Sequence, residues 1–178
     1  QVAHETAVGA IRDPVSLFIY QRDSLQLRVI NALKSHDAQL FGLLQVFQEG
    51  TIADYLEYTS ANGGEDALLK KYDLDPSSCQ SHMRILSLCT LAAEKDIIDY
   101  DELSQYLRLQ ESDDVERWVI DTVGSGLLDA KLDQMSAKVI VRRAKPRKLG
   151  PQEWSAMRNQ LAAWKSTVEG LITSLEKQ

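Results

Sequence analysis

The stretch from Pro76 to about Lys95 limits what this chain can fold into more than any other. Met83, Ile85, Leu86, Leu88, Cys89, Leu91, Ala92 and Ala93 make it apolar nearly all round. A helix with that pattern is covered on several sides. Asp75-Pro76 opens it, with Pro in the first helical turn where its missing N–H satisfies no intrahelical bond anyway. Such a helix needs protein on more than one flank, so it reads as a central helix joining two lobes.

With 178 residues the chain fits one domain, or one and a fraction, at a typical size of roughly 150 residues. Hydrophobic residues make up 44% and charged residues 26%, which excludes disordered, collagen-like and mucin-like chains. The net charge is −6, so the chain as a whole is not a bulk nucleic-acid binder, although a local basic patch can survive within it. No apolar run approaches the ~20 residues of a membrane span. The opening Gln1-Val2-Ala3-His4-Glu5 has no initiator Met and no signal-peptide core and reads like the middle of a helix. A fragment of a longer protein is therefore expected. Cys79 and Cys89 on one helix would stand about 15 Å apart, beyond the reach of about 7 Å between disulfide-bonded Cα atoms. Unpaired thiols and the absence of an N-x-S/T sequon fit a reducing compartment, and a cytoplasmic location is expected.

The first 95 residues read as short helices. Asp13-Pro14 stops one and can start another. Asp37 can cap a helix carrying Leu40, Phe41, Leu44 and Phe47, and Thr51 with Asp54 makes a capping box before Ile52, Tyr55, Leu56 and Thr59. Asn62-Gly63-Gly64 breaks the chain before Leu68, Leu69 and Tyr72. After Asp96 the character changes. Ile97-Ile98 is a short strand. Asp99 with Glu102 forms an Asp-led capping box for a helix bearing Leu103, Tyr106 and Leu107. Ser112 caps a second, Asp113 to Val123, with Val115, Trp118, Val119 and Thr122, ended by Gly124-Ser125-Gly126. Leu128, Ala130 and Leu132 alternate as a strand, a turn covers Asp133 to Ala137, and Val139-Ile140-Val141 returns. Strand, helix, helix, hairpin is the order of a winged helix. Gly150-Pro151 opens a final long helix to about Leu175. The expected fold is mostly α: helical hairpins over 1–95, a winged helix over 96–149 and a terminal helix over 150–178.

No constellation for catalysis, cofactor or metal converges. Cys79 and His82 lie at i, i+3, but no second Cys/His pair exists to complete a metal site, and nothing local supplies an orienting group or oxyanion hole for a thiol nucleophile. They read as a helix-start surface or boundary pair, and Cys89 as a small core residue. Asp113-Asp114 sit where the helix dipole favours acids. Gly124-Ser125-Gly126 lacks the Lys-Ser/Thr of a phosphate loop and does not precede a helix. The would-be recognition helix carries Asp113, Asp114, Glu116 and Asp121 against Arg117, a net repulsion toward DNA phosphates, so sequence-specific DNA binding is not expected.

Two surfaces stand out. Between Lys138 and Lys148 there is no acid, and Arg142, Arg143, Lys145, Arg147 and Lys148 are candidate contacts to RNA or an acidic partner; a solvated wing and linker is the plainer alternative. In the terminal helix Trp154, Met157, Leu161, Trp164, Val168, Leu171 and Leu175 alternate three- and four-residue steps, the a and d positions of heptads. Residues 151–175 as a helix span about 37 Å, longer than a small winged helix can cover. The first half, with both tryptophans, is expected to pack on its own domain, leaving Val168, Leu171 and Leu175 as a candidate assembly face.

Helical hairpins, a central helix, a winged helix and a long terminal helix resemble the PCI-domain family, which supplies scaffold subunits of the proteasome lid, the signalosome and eukaryotic translation initiation factor three. The segments Ala10-Ile11-Arg12-Asp13-Pro14, Asp113-Asp114-Val115-Glu116, Val119-Ile120-Asp121, Lys131-Leu132-Asp133-Gln134 and Gly150 to Lys165, with Gln152-x-Trp154 and Ala163-Trp164-Lys165, are similar to the initiation-factor branch of that family. The resemblance implies a non-enzymatic scaffold without cofactor. Its partners would be other subunits of the factor and, indirectly, the small ribosomal subunit, with neither membrane nor DNA bound. A signalosome or lid subunit and an RNA-binding winged helix are the alternatives.

Overall fold

The computed structural model describes residues 2–13, 33–110, 114–145, 147 and 151–176. Expectations placed on Pro14, Ser112, Asp113 and Lys148 fall outside them. The chain forms two compact units, Gln1–Arg147 and Lys148–Gln178. The first unit holds α1 (Val2–Arg12), α2 (Ala38–Glu49), α3 (Ile52–Ala61), α4 (Glu65–Lys70), α5 (Pro76–Glu94), β1 (Ile97–Asp99), α6 (Tyr100–Tyr106), α7 (Val115–Gly124), β2 (Leu128–Asp133) and β3 (Lys138–Ala144). The second holds α8 (Pro151–Glu176).

Helix α5 divides its apolar residues between two cores. Cys79, Met83, Leu86 and Cys89 face a core built with Ala7, Ile11, Leu40, Leu44, Phe47, Ile52, Tyr55 and Leu69. Leu88, Leu91 and Ala92 face the other, with Ile98, Leu103, Leu107, Val119, Leu128 and Val139. This is the two-lobed burial that its all-round apolar sequence requires. Cys79 belongs to the first core, only 2% exposed, so the surface or boundary placement expected for it is corrected: it lies a turn inside the helix, on the side facing α1 and α4.

Caps start the helices where local sequence supplies them. Asp37 accepts from the Leu40 N–H at 3.1 Å, the Thr51–Asp54 capping box forms in both directions, and Asp75 accepts from the Ser78 N–H at 2.9 Å. The Asp99–Glu102 box does not form. Asp99 takes the cap position without a side-chain cap bond and instead meets Lys138 Nζ at 3.6 Å, while Glu102 pairs with Lys95. Two lysines on neighbouring elements outcompete a local N–H for these carboxylates. At α7, Asp114 is the cap, accepting from the Glu116 N–H at 2.9 Å, so that helix starts later than the sequence suggests.

Two of these caps predict acid sensitivity. At Asp75, hydroxyls of Ser77 and Ser78 and the Ser78 N–H hold the carboxyl down to about 2. At Asp37 burial pushes the carboxyl up, but the Leu40 N–H, the Tyr72 hydroxyl and the Lys71 charge outweigh it and hold it below the usual range. A carboxyl depressed on folding stabilises fully above its unfolded pKa and loses that contribution as pH falls through the folded one. The contribution of these two carboxylates to the urea midpoint should be constant from pH 7 to 5 and be lost between pH 4 and 2, below the range in which His82, itself lowered by burial, begins to take up its proton in the unfolded chain. Asp75→Asn and Asp37→Asn together should remove that loss.

The strands form one antiparallel sheet in the order β1-β3-β2, with Ile98 opposite Val139 and Val139 opposite Leu132. A register shift at Asp129/Ala130 leaves Arg142 as the extra residue of β3, a bulge that turns its side chain out of strict alternation. After α7 the chain reverses through Gly126 at φ 73°, a conformation that costs glycine little. The order and pairing are those of a winged helix.

One buried polar group ties the helical part together. Ser87 is fully buried; its Oγ accepts from the Ile52 N–H at 2.8 Å and donates to the Met83 carbonyl at 2.7 Å. The Ile52 N–H is one of the N–H groups at the start of α3 that no intrahelical carbonyl can satisfy. Ser87→Ala is expected to cost about 1–3 kcal/mol, the price of a buried donor left unpaired, read by urea denaturation.

Candidate assembly surfaces

The winged-helix part places α6 and α7 on the inner face of the sheet, through Leu103, Leu107, Val119 and Thr122. On the outer side of α7 stand Arg117, Ile120, Asp121 and Val123, all exposed, with Arg117 and Asp121 paired at 3.9 Å. Glu116 is held by the Tyr100 hydroxyl at 3.2 Å and by Gln134 Nε2 at 2.7 Å. This face offers an internally neutralised ion pair and aliphatic side chains. Phosphate contacts draw chiefly on cations, and among the described residues of this face Arg117, the one cation, stands beside Asp121.

The basic segment separates into distinct environments. Arg142 and Arg143 are exposed and Lys145 is half-buried. The Lys145 N–H donates to the Leu127 carbonyl at 3.0 Å and holds the exit of β3. Arg147 turns inward. Its Nη1 donates to the Gly50 carbonyl at 2.7 Å and to Thr90 Oγ1 at 3.1 Å, and its Nη2 donates to the Phe47 carbonyl at 2.6 Å. Phe47 and Gly50 sit at the C-terminal end of α2, where carbonyls lack intrahelical partners and carry partial negative charge. The guanidinium therefore caps α2 from a distant part of the sequence. Burial lowers its pKa to about 10, which still leaves it charged at neutral pH. The expectation that Arg147 joins its neighbours as an outward contact is corrected, because both its Nη atoms are already engaged by these acceptors, while its Nε is buried without a hydrogen-bond partner.

Helix α8 carries an uncovered stripe. Trp154 is 56% exposed, Leu161 56%, Trp164 61% and Val168 54%. Within the second unit taken by itself, both tryptophans are exposed. The second unit has a single helix among its described residues, and one helix alone has no second layer against which to cover a stripe. The side chains of Leu171 and Leu175 lie outside those described. Ile172, at 49% exposed, widens the stripe beyond the a and d positions and escaped the heptad reading. So did Ile97 and Ile140, which face each other on the outer side of the sheet. The only hint of that pair was Ile97-Ile98 itself, since adjacent strand residues point to opposite faces.

Cys79 and His82 share the wall of a hollow with Ile11, Arg12, Asp73, Asp75 and Ser78. Burial pushes the Cys79 thiol up to about 12 and also lowers His82, so at neutral pH the sulfur is a thiol, the unreactive form. Cys89 is likewise pushed up to about 12 by burial. Among the described residues there is no cluster of His, Cys, Asp and Glu able to hold a metal ion, and no helix is long and apolar enough to cross a membrane.

A scaffold built from helical pairs, a central helix and a winged helix is a recognised class, and the PCI-domain family profile matches residues 39–143, from α2 through β3. The chain belongs to the PCI-domain family. Several of its relatives carry the same name. It is 33% identical to eukaryotic translation initiation factor 3 subunit M of Coccidioides immitis, over 96% of this chain and 37% of that protein. It is 31% identical to that of Dictyostelium discoideum, over 99% and 44%, and 32% identical to that of Emericella nidulans, over 80% and 33%. The chain thus spans less than half the length of the curated relatives it matches.

Proposed function

We propose that this chain is the PCI part of a cytoplasmic scaffold subunit of eukaryotic translation initiation factor three. It holds neighbouring subunits in fixed geometry and supports assembly of the initiation complex on the small ribosomal subunit. The observation that carries this reading is similarity at 31–33% identity along 96–99% of the chain to proteins named as one subunit of that factor. The exposed stripe of α8 supplies the kind of apolar surface that assembly uses. A role without catalysis is supported by the buried, protonated state of both thiols, which removes the strongest candidate nucleophiles. The test is affinity purification of the full-length protein followed by mass spectrometry. Stoichiometric recovery of other initiation-factor-three subunits is expected; recovery of signalosome or lid subunits in their place overturns the reading.

A second reading concerns the outward cations. Arg142 and Arg143 are exposed on β3 and form no ion pair among the described residues, which favours contact of Arg142, Arg143 and Lys145 with RNA phosphates or an acidic partner. Each phosphate contact releases counterions, so association falls steeply with salt. Replacing the three with Ala should weaken ribosome association at low salt, flatten its salt dependence and leave the urea midpoint unchanged. Unchanged association at low salt sinks the contact.

A further inference from the structure

Asn62 caps the C-terminal end of α3, and Gly63 follows it. That pair carries a chemistry that no surface described above uses. An asparagine amide followed by glycine can cyclise, the glycine nitrogen attacking Asn Cγ to close a five-membered imide. Glycine favours the step because no Cβ crowds its nitrogen and its backbone turns freely. Here the turn supplies both a nucleophile and a restraint. Gly63 is exposed at φ 94°, with open space where a Cβ would stand. Among the described residues its N–H has no hydrogen-bond partner. Asn62, by contrast, is half-buried and tied down. Its Nδ2 donates to the Tyr58 carbonyl at 2.8 Å, and its backbone N–H donates to the Tyr58 and Thr59 carbonyls at 3.2 Å each. The Gly64 N–H donates to the Thr59 carbonyl at 3.0 Å. To reach the Gly63 nitrogen, the Asn62 side chain must swing forward and give up the Tyr58 carbonyl.

We propose that Asn62-Gly63 is a site of spontaneous deamidation, held in check by the bond from Asn62 Nδ2 to the Tyr58 carbonyl. The Gly63 nitrogen loses its proton and bonds to Asn62 Cγ, and the Cγ–Nδ2 bond breaks with release of ammonia. Water then opens the imide. Attack at Cγ breaks the new bond and leaves an ordinary aspartate. Attack at the main-chain carbonyl leaves an isoaspartate, with the main chain routed through Cβ and Cγ. The net step consumes one water and releases one ammonia, with no oxidation or reduction, so solvent is the only co-reactant. Either product puts a carboxylate where the last carbonyls of α3 already carry partial negative charge, and neither keeps the Nδ2 donor. Isoaspartate also lengthens the link to α4, which brings Leu68 and Leu69 into the first core. Conversion therefore loosens the pairing of α3 with α4.

The test incubates the whole chain and, separately, a synthetic peptide of residues 58–68 in mildly alkaline buffer at body temperature. Peptide mass spectrometry follows the exchange of the amide for a carboxyl at each asparagine. Isoaspartate is counted by transfer of a labelled methyl group from S-adenosylmethionine with an isoaspartyl methyltransferase. Asn159, inside α8, is the internal control. In the whole chain Asn62 is expected to convert at least about tenfold faster than Asn159, whose successor Gln160 carries a Cβ and gives its N–H to the helix. Conversion should be faster still in the peptide, which is too short to hold a helix in water. Asn62→Asp should lower the thermal midpoint of the fresh chain. Conversion at Asn62 no faster than at Asn159 overturns the site. Equal rates in chain and peptide overturn the restraint by the Tyr58 carbonyl. An unchanged midpoint for Asn62→Asp overturns the loosening of α3 against α4.

Discussion

Arg147→Ala is expected to lower the stability of the first unit by about 3 kcal/mol, the scale on which buried, charge-assisted hydrogen bonds are lost together with their satisfied acceptors. Three acceptors lose their donor at once: the carbonyls of Phe47 and Gly50 and the hydroxyl of Thr90. The carbonyls end α2 and the hydroxyl sits on α5, so the side chain ties the exit of the sheet to both helices. For a unit of this size, a loss of that order lowers the melting temperature by roughly 6–12 °C. Arg147→Lys should fall between, since a single ammonium cannot reproduce the fork of a guanidinium that spans separate acceptors. Urea denaturation of the two variants checks this. A change within about 0.5 kcal/mol for Arg147→Ala, the range of ordinary surface substitutions, would show that the side chain holds nothing. The same variant should leave the salt dependence of ribosome association as it was, which separates its role from that of Arg142, Arg143 and Lys145.

Changing Leu161, Trp164 and Val168 together to Ser should abolish incorporation into the initiation factor while sparing the fold. Each side chain gains roughly 1.5–3 kcal/mol when fully buried, so an assembled seam loses several kcal/mol. With tenfold in affinity for each 1.4 kcal/mol, a loss of 100-fold or more is expected. All three are more than half exposed in this chain, so the substitutions remove little that stabilises it alone, beyond a small fall in helix propensity. Pull-down of partner subunits and a thermal melt of the isolated variant are the two measurements. Normal incorporation, or collapse of the melt, would each show that this face is not the seam.

Features that depend on a few neighbouring residues were legible in the sequence. The start of α5 at Asp75-Pro76, the capping box at Thr51 and the strands around Leu128 and Val139 all follow from contacts within about one turn or from simple alternation. The apolar girth of α5 announced its position between two cores, because no solvent-facing side remained. The heptad steps of α8 were legible because a three- and four-residue alternation is itself a local pattern, and the family resemblance was legible with them.

What only the tertiary structure decided were contests between local and distant partners. Asp99 looked like a cap, but Lys138, on the neighbouring strand, takes its carboxylate. Arg147 sits in a basic run like any solvated linker, and its acceptors at Gly50 and Phe47 lie 97 and 100 residues earlier. No window of sequence contains both ends of such a contact, and a charged side chain gives no periodic signal of burial as an apolar one does. Trp154 and Trp164 belong to a unit of a single helix, which by itself offers them no covering layer. Composition marks a tryptophan as a residue that gains from burial, but whether a second layer stands opposite it is a property of the assembled structure.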